Sequence, residues 1–435
     1  MDERTEPGGP RSMNAQARDF ANSSDVVTRR STCRACGGAN LDLFLSLGEV
    51  ALANSFLTAE QLHQPEPTFP LEVFFCLDCS LVQLLHVVNP EVLFSHYLYA
   101  SGTSQTLAQH NEKLCDRVTS ELHLGSQDLV VEIASNDGSL LRWFKKRSIR
   151  TLGVEPAKNI AQMAREAGIE TLNEFFDARI AEKINAEYGQ ASAVIANNVL
   201  AHVDATVPFL SATRSLLKPG GRLIIEVPYL GEMLERMEYD TIYHEHLCYF
   251  SVTALLRVFA EAGLALDRVD HVPIHGGSLR LWGKHADAGG HSVSVRQQAE
   301  VERQKGMTTL KLYQDFAARV ARNREALLAL LGRLRREGKS IAGYGAPAKG
   351  NTLLCYCGIG TDLLPFTVDM SPLKVGLYTP GSHLPVAPAQ RIFDVQPDYV
   401  LILAWNFAPE IMKFLQPYKE KGGCFILPIP EPIVL

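Results

Sequence analysis

Asp128-Leu-Val-Val-Glu-Ile-Ala-Ser-Asn-Asp-Gly138-Ser-Leu-Leu141 is an apolar run that leads into a turn of small residues and then a helical pattern. This order is typical of the first strand, turn and helix of a nucleotide-binding α/β domain. A second apolar run, residues 152–155, ends in Glu155, about 20 residues further on, where Rossmann-type folds hold a ribose. The carboxylate of Glu155 can accept hydrogen bonds from both ribose hydroxyls. The sequence therefore predicts a Rossmann-like domain.

More apolar runs follow, at residues 193–198 and 222–229, and they alternate with helical patterns at 158–167 and 208–217. Such alternation predicts an α/β domain with a largely parallel sheet. Ligands of these sheets bind beyond the carboxyl ends of the strands. The polar residues at those ends are therefore the candidates for binding and chemistry.

The turn after the first strand lacks a full G-x-G-x-x-G, which together with the acidic residues favours S-adenosylmethionine over a dinucleotide. The usual methyltransferase turn has glycine where this chain has Ala134, so the backbone there must tolerate a Cβ. A dinucleotide-binding dehydrogenase is the alternative for this domain. The residues predicted to hold S-adenosylmethionine are Glu132, Ala134, Asn136, Asp137, Gly138, Glu155, Asn197 and Asn198.

Four cysteines near the N-terminus form two C-x-x-C pairs, Cys33 with Cys36 and Cys76 with Cys79. Two such pairs supply four thiolates, which is what a closed tetrahedral zinc site needs. With all ligands from the protein no coordination position is open, so the zinc is expected to be structural. Free or redox-active thiols are the alternative.

Tyr243-His-Glu-His246 places four proton-exchanging side chains in a row shortly after a strand end. A solvated loop or a structural hydrogen-bond cluster is possible, but every buried polar group would then need a partner. The two histidines are two residues apart, and the zincin motif needs them four apart. Proton chemistry is therefore the favoured interpretation, with His244 pointing away from the site.

The overall composition excludes several function classes. A net charge of −6 weighs against nucleic-acid binding. No apolar run approaches the roughly 18 residues of a membrane span, and residues 1–10 lack the apolar core of a secretory signal. Nine cysteines, an odd number with four in C-x-x-C pairs, suggest reduced thiols and metal rather than disulfides. We therefore expect a cytoplasmic protein.

The last third of the chain predicts a second α/β unit. Residues 309–337 carry apolar side chains at helical spacing, which indicates a core-facing linker helix. A strand, a glycine turn and a helix follow, with Gly345 in the turn and Lys349 at the start of the helix. Backbone N–H groups and a helix N-terminus there suit a diphosphate or nucleoside. A structural turn with a surface lysine is the alternative.

Several motifs, spread from Cys33 towards the C-terminus, carry a resemblance to a known family. They are the two C-x-x-C pairs, Glu132-Ile-Ala-Ser-Asn-Asp-Gly138, Asn197-Asn-Val-Leu-Ala-His202, Asp240-Thr-Ile-Tyr-His-Glu-His246, His275-Gly-Gly-Ser-Leu-Arg280 and Gly343-Tyr-Gly-Ala-Pro-Ala-Lys-Gly350. With these residues the chain resembles the C-methyltransferase family of deoxysugar biosynthesis, which methylates nucleotide-linked 4-ketohexoses. The Tyr-His-Glu-His run is the most specific element of the resemblance.

The resemblance implies an α/β protein with a small zinc-binding domain, a class I methyltransferase domain and a second Rossmann-like domain that helps to hold the sugar nucleotide. The expected ranges are a disordered tail at 1–30, the zinc-binding domain at 31–100, the methyltransferase domain at 101–285 with the active stretch at 239–250, a helical linker at 286–338 and the C-terminal domain at 339–435. The residues expected to bind the sugar nucleotide are Ser278, Arg280, Gly345, Lys349 and Asp369.

The reaction expected from the resemblance is methylation at C-3, next to the ketone of an NDP-linked, dTDP-linked by preference, 4-keto-6-deoxy or 2,6-dideoxy hexose. His246 is the expected base, with Glu245 orienting it or acting as the base itself. Tyr243, Tyr97 and His202 are the expected donors to the enolate oxygen. Methylation at C-5, an O- or N-methyltransferase, and a zinc-finger adaptor that binds RNA or protein are the alternatives.

Overall fold

The computed structural model describes residues 26–94, 105–274 and 276–435, with side chains from residue 107 onward in the second range. Tyr97, residues 1–25 of the predicted tail and His275 lie outside the described residues. A strand at Val27–Arg29 (β1) falls within the predicted tail of residues 1–30, so ordered structure begins before residue 31. Across the described ranges, none of the helices has the length and apolar character needed to cross a membrane.

The N-terminal part is built mainly of antiparallel strands. After β1 come Leu41–Ala51 (β2), Thr68–Cys76 (β3), Val82–Leu84 (β4), His86–Val88 (β5) and the short helix Pro90–Phe94 (α1). β2, β3 and β4 pair antiparallel, and β1 pairs with β5. Alternate side chains of β3, at Leu71, Val73 and Phe75, are buried, which is the period-2 pattern of a strand with one face in the core.

The central part alternates strands and helices as the sequence predicts. Its elements are Gln105–Leu122 (α2), Leu129–Ile133 (β6), Leu141–Lys146 (α3), Arg150–Val154 (β7), Lys158–Glu166 (α4), Thr171–Leu172 (β8), Ala178–Tyr188 (α5), Ala191–Asn197 (β9), Thr206–Leu216 (α6), Leu217–Pro228 (β10), Leu230–Arg236 (α7), Cys248–Tyr249 (β11), Val252–Glu261 (α8), Leu264–Val272 (β12) and Ser278–His285 (β13). β11 leaves this unit and pairs with β4 of the N-terminal sheet.

The order of the central sheet distinguishes between the two predicted cofactor classes. In the described residues its order is β12-β13-β10-β9-β6-β7-β8, and β13 runs antiparallel to both of its neighbours. A dinucleotide-binding fold has the order 3-2-1-4-5-6. Here an antiparallel strand is inserted between the fifth and sixth strands, and the dinucleotide-binding topology is therefore absent from this sheet.

The C-terminal part begins with two helices and continues as a second α/β unit. Its elements are Val293–Gln304 (α9), Leu310–Arg336 (α10), Ile341–Tyr344 (β14), Ala348–Cys357 (α11), Thr367–Asp369 (β15), Val386–Pro388 (β16), Arg391–Val395 (α12), Tyr399–Ile402 (β17), Ala408–Phe414 (α13), Gln416–Glu420 (α14), Cys424–Leu427 (β18) and Ile433–Val434 (β19). In the described chain these strands form one sheet, ordered β16-β15-β14-β17-β18-β19, with only β19 antiparallel.

The long helix α10 packs against several parts of the molecule. Tyr313 contacts the rings of Phe44 and Phe75 in the N-terminal sheet, at 5.2 and 4.6 Å between centroids. Asn323, about one turn before Leu327 on the buried face, donates to the carbonyl of Pro428 at 2.9 Å and accepts from Tyr239 at 2.8 Å. The helix is therefore core-facing, as its apolar spacing predicts.

Candidate active site

The four cysteines of the two C-x-x-C pairs meet at one place. Their Sγ atoms lie within 4.8 Å of one another, and Cys33 approaches Cys79 at 3.5 Å while Cys36 approaches Cys76 at 3.6 Å. Four thiolates around a zinc ion at about 2.3 Å lie roughly 3.8 Å apart in a tetrahedron. The cluster therefore fits a closed structural zinc site.

The turn after β6 has the backbone conformation that close approach to a ligand needs. Ala134 and Asn136 both have φ of 50°, and Gly138 has φ of 73°. The left-handed conformation costs a residue with a Cβ roughly 1–2 kcal/mol. Ala134 adopts this conformation, as expected for the position at which the usual methyltransferase turn has glycine. Glu155, at the end of β7, accepts the N–H groups of Asn136 and Ala157 at 2.9 and 2.8 Å. The second strand end thus fixes the first turn.

Several buried polar atoms beside this turn need hydrogen-bond partners. Within the described residues, Oε2 of Glu132, Oγ of Ser135 and Oδ1 of Asn197 have no hydrogen-bond partner although they are buried. Burial, together with the charges of Asp137 and Glu155, raises the pKa of Glu132 well above its usual range. Buried polar atoms are usually satisfied, so a polar ligand at the carboxyl ends of β6, β7 and β9 fits this site.

His246 is held in one tautomer. Its Nδ1 lies 2.8 Å from the carbonyl of Thr241, and a carbonyl can only accept, so Nδ1 carries the proton. Nε2 then carries the lone pair, and it lies 3.0 Å from the hydroxyl of Tyr243. The Tyr243 hydroxyl therefore donates to Nε2, the basic nitrogen of this ring. The short 3-10 turn Tyr239–Thr241 presents the carbonyl that sets this geometry.

Glu245 is the second candidate base. Its side chain is buried, Oε1 accepts from the amide of Asn54 at 2.6 Å, and Oε2 has no hydrogen-bond partner in the described chain. Burial raises the pKa of Glu245 to about 7, against the opposing hydrogen bond from Asn54. A carboxyl with a pKa near working pH can serve as a general base. Asn54 was not found from the sequence, where it is an isolated loop asparagine.

The other two histidines differ in their surroundings. His244 is buried, with Nε2 3.3 Å from the carbonyl of Pro70 and its ring against Phe69, on the side of the N-terminal sheet. His202 lies 4.8 Å from His246 between ring centroids, and its Nδ1 has no hydrogen-bond partner in the part of the chain that the structure describes. Burial lowers the pKa of each ring to about 4, so both are neutral at pH 7.

Two cavities lie beside this cluster. The inner one, of about 20 Å³, is lined by His246, Thr241 and Glu238 among others. The outer one, of about 500 Å³, opens between the central and C-terminal units and is lined by Arg236, His271, Ser278, Trp405 and Asn406 among others. Gly277 lines both. His246 is thus accessible from a cavity, whereas Glu245 does not line either of these two cavities.

The residues of the C-terminal unit that were predicted to bind the sugar nucleotide already interact with other groups of the protein. Asp369 accepts the N–H of Ala346 at 2.7 Å, so this donor beside Gly345 is already bonded to a carboxylate. The ammonium of Lys349 lies 4.4 Å from the ring of Trp405, which belongs to the same unit. Burial lowers the pKa of Lys349, and the charges of Asp240 and Glu238 oppose this shift.

The structure does not bring Arg280 to the cavities. Arg280 is buried in β13, where it pairs with Glu226 at 2.6 Å, and Glu226 also contacts His110 at 2.8 Å. Ser278 does line the outer cavity, and its hydroxyl donates to the carbonyl of Ile274 at 3.1 Å. Glu238, Arg236 and Trp405 also line the cavities, although no motif in the sequence marks them as site residues.

Comparison with known proteins covers almost the whole chain. Three domain families match: a zinc binding domain at residues 33–94, a methyltransferase domain at 107–269 and a C-methyltransferase C-terminal domain at 273–430. C-methyltransferase NovU of Streptomyces niveus is 38% identical over 413 residues, which is 94% of this chain and 98% of the relative. The chain belongs to this C-methyltransferase family. The predicted resemblance is thereby confirmed.

This C-methyltransferase depends on S-adenosylmethionine and carries zinc, as the sequence predicts. Among solved structures, a methyltransferase of Clostridium acetobutylicum ATCC 824 matches at TM-score 0.34 and 12% identity, over 41% of this chain and 92% of that one. Magnesium protoporphyrin IX methyltransferase of Synechocystis PCC 6803 matches at TM-score 0.31 and 14% identity, over 40% and 78%. Nothing about the substrate follows from likenesses at this level.

Proposed function

We propose that this C-methyltransferase acts on a nucleotide-linked 4-keto-6-deoxy or 2,6-dideoxy hexose, by preference with dTDP as the nucleotide, and methylates C-3. The observation that carries this proposal is His246, whose fixed tautomer places its basic nitrogen, Nε2, beside a cavity. Removal of the proton next to a ketone requires a base of this kind. The setting would be a cytoplasmic pathway of deoxysugar or antibiotic-sugar biosynthesis.

The proposed chemistry begins with transfer of the C-3 proton to Nε2 of His246. The electron pair moves into an enolate. Once Nε2 has taken the proton it no longer accepts from the hydroxyl of Tyr243, which is 3.0 Å away, and this hydroxyl can then donate to the enolate oxygen. The neutral ring of His202 lies beside His246 and is a second proposed donor; Tyr97 is a third. When bound, S-adenosylmethionine supplies a methyl group on a positively charged sulfur, which the enolate carbon can attack.

His246 is preferred to Glu245 as the base because it lines the cavity. Glu245 is proposed to orient neighbouring residues of the site without contacting the substrate, because its carboxyl contacts Asn54 and its backbone carbonyl faces the ring of His202. The outer cleft, with Arg236 and His271 in its wall, is the proposed location of the nucleotide diphosphate. A cationic guanidinium is a suitable partner for phosphate oxygens.

The test is incubation of the enzyme in D₂O with a panel of dTDP-4-keto-6-deoxyhexoses, with and without S-adenosylmethionine. We expect one methyl gained, and deuterium exchange next to the ketone that His246→Asn abolishes and Glu245→Gln only slows. Label exchange at C-5 alone would favour methylation there. Methylation without any exchangeable carbon proton would favour an O- or N-methyltransferase. Full activity of His246→Asn would remove this residue from the role of base.

A further inference from the structure

Glu238 is a buried carboxyl at the junction of the two cavities. It lines the inner cavity with Thr241 and His246. It also lies against the loop that lines the outer one, since a Cβ added to Gly276 would meet its Oε2 at 2.6 Å and its Oε1 at 2.7 Å. Its side chain is only 4% exposed. The carboxyl of Glu238 therefore adjoins the linings of both cavities.

One oxygen of Glu238 lacks a partner inside the protein. Oε1 is buried and makes no hydrogen bond to any residue that the structure describes. A buried acceptor left unbonded costs free energy, so this oxygen is suited to a donor that arrives with a ligand. The nearby Asp240 is also only partly satisfied, because its Oδ2 accepts from Trp405 at 2.6 Å while its buried Oδ1 makes no hydrogen bond within the described residues. Asp240 lines neither of the two cavities, however, whereas Glu238 lines the inner one.

The charges around Glu238 indicate which donor fits. Lys349 lies on the side of the C-terminal unit and favours the ionised carboxyl, together with Arg236, whereas Asp240 and Glu232 disfavour it. A phosphate at this position would face two carboxylates, and an additional cation would compete with Lys349. A neutral O–H group avoids both problems. The site therefore fits a hydroxyl donor.

We propose that Glu238 binds a ring hydroxyl of the sugar and thereby orients the ring over His246. In this proposal the positive charge of Lys349 favours the ionised form of the carboxyl. This inference rests on the proposed function, because it requires a sugar whose ring lies at the junction of the two cavities and directs a hydroxyl into the inner one. It also gives Lys349 a role that differs from diphosphate binding. Glu238 is then a specificity-determining residue, and it acts on the sugar and not on the nucleotide.

The experiment is equilibrium binding without S-adenosylmethionine, so that no chemistry occurs. Two ligands are compared by calorimetry: a dTDP-4-keto-6-deoxyhexose and dTDP alone. For Glu238→Gln we expect the Kd of the nucleotide sugar to rise about 10- to 100-fold, as for a lost hydrogen bond to a charged group. The Kd of dTDP should stay within about twofold. Glu235→Gln, at an exposed position of α7 that pairs with Lys305, is the matched control.

A second readout separates recognition from a merely structural role. Burial raises the pKa of Glu238 to about 7, so affinity for the nucleotide sugar should increase between pH 6 and pH 8 in the wild type. The increase should be absent in Glu238→Gln, and in Lys349→Met it should move to higher pH, because the cation that favours the carboxylate is gone. Asp240, Arg236 and Glu232 face the same group and remain in all of these proteins.

Each other outcome overturns the inference in a distinct way. Equal weakening of both ligands in Glu238→Gln would show a structural role, and unchanged affinity for the nucleotide sugar would show that Glu238 does not contact it. A wild-type protein that binds neither ligand would instead refute the nucleotide-sugar substrate itself, and this inference with it.

Discussion

The side-chain amide of Asn54 donates to Oε1 of Glu245 at 2.6 Å, although the two residues are 191 positions apart in the chain. The neighbouring carbonyl of Ala53 accepts from Asn351 of α11 at 2.7 Å. The loop after β2 is thus held by the C-terminal unit while it holds a carboxyl of the Tyr-His-Glu-His motif. The N-terminal and central parts of the molecule meet at Glu245, and the C-terminal part contacts the adjoining loop at Ala53.

Replacement of Asn54 by alanine should slow the reaction with little effect on S-adenosylmethionine binding. The hydrogen bond from Asn54 lowers the pKa of Glu245, so its loss should raise that pKa above about 7. We expect kcat at pH 7 to fall about tenfold, as for loss of a bond to a charged group, and the acid limb of the kcat profile to move to higher pH. The measurement is kcat against pH.

The matched control is Asn40→Ala. Asn40 also donates to a carboxylate in the N-terminal unit, Asp78 at 2.8 Å, but it does so at the surface. Its profile should match that of the wild type. A profile of Asn54→Ala that has the wild-type midpoint would contradict a positioning role for this amide.

Glu245→Gln should make the protein more stable at pH 8 than the wild type. A carboxyl whose pKa is raised from 4.5 to about 7 on folding keeps its proton in the folded state where the unfolded chain has lost it. Wild-type stability therefore falls as pH rises from about 4.5 to 7, and the loss is fully present at pH 8. We expect the variant to gain about 1–3 kcal/mol at pH 8 and nothing near pH 4.5.

Denaturant unfolding of both proteins at pH 5 and pH 8 measures this difference. Glu187→Gln, on the exposed end of α5, is a suitable control and should show no dependence of this kind. A stability difference that does not change between the two pH values would refute burial of the charge as its cause.

Removal of zinc should abolish methylation but spare S-adenosylmethionine binding. Loss of a structural zinc unfolds small domains that depend on it. β4 pairs with β11, directly after His246, and Asn54 follows β2, so unfolding of this sheet would disturb the base. The predicted S-adenosylmethionine residues lie on the separate central sheet. For Cys79→Ser we expect loss of metal, at least about a hundredfold loss in kcat and a nearly unchanged Kd for S-adenosylmethionine.

Metal analysis, calorimetry and kinetics on the same preparation check this expectation. Cys424→Ser replaces a half-buried thiol far along the chain and outside the metal cluster, and it should behave like the wild type. Full activity of a zinc-free protein would show that the N-terminal unit holds its shape without the metal.

The sequence revealed those features that are local in the chain. The strand–turn–helix at Ala134, the acid at Glu155 and the Tyr243–His246 run each contain their own evidence, and the structure places them as expected from a parallel sheet. Asn54 and Glu238 could not be found in this way. An isolated asparagine or glutamate has no pattern, and its role depends on which distant elements pack against it.

Lys349 and Arg280 show that a short motif also does not reveal which group a charged side chain will contact. The position of Lys349 after a glycine turn suggested anion binding, and the resemblance to the C-methyltransferase family implied that Arg280 binds the sugar nucleotide. In the structure each faces a carboxylate of the protein, Lys349 towards Glu238 and Asp240, and Arg280 towards Glu226. Which anion a cation meets is decided by tertiary packing, and this information is not present in either motif.

Arg280→Met should therefore destabilise the fold and leave substrate affinity nearly unchanged. Both partners of the Arg280–Glu226 pair are buried, with Nε and Nη2 at 2.7 and 2.6 Å from the same carboxylate oxygen. Breaking one partner of a buried pair leaves an uncompensated charge and costs roughly 3–5 kcal/mol. His110, 2.8 Å from the other oxygen, can compensate only in part. Denaturant unfolding should show a loss of this size.

The double variant Arg280→Met with Glu226→Gln is the decisive comparison. Because it removes both charges, it should recover part of the stability that the single variant loses. The Kd of a dTDP-4-keto-6-deoxyhexose, measured at low temperature where all of the proteins are folded, should be similar in the wild type and both variants. A selective loss of sugar-nucleotide affinity at wild-type stability would instead support the substrate contact that the sequence motif suggested for Arg280.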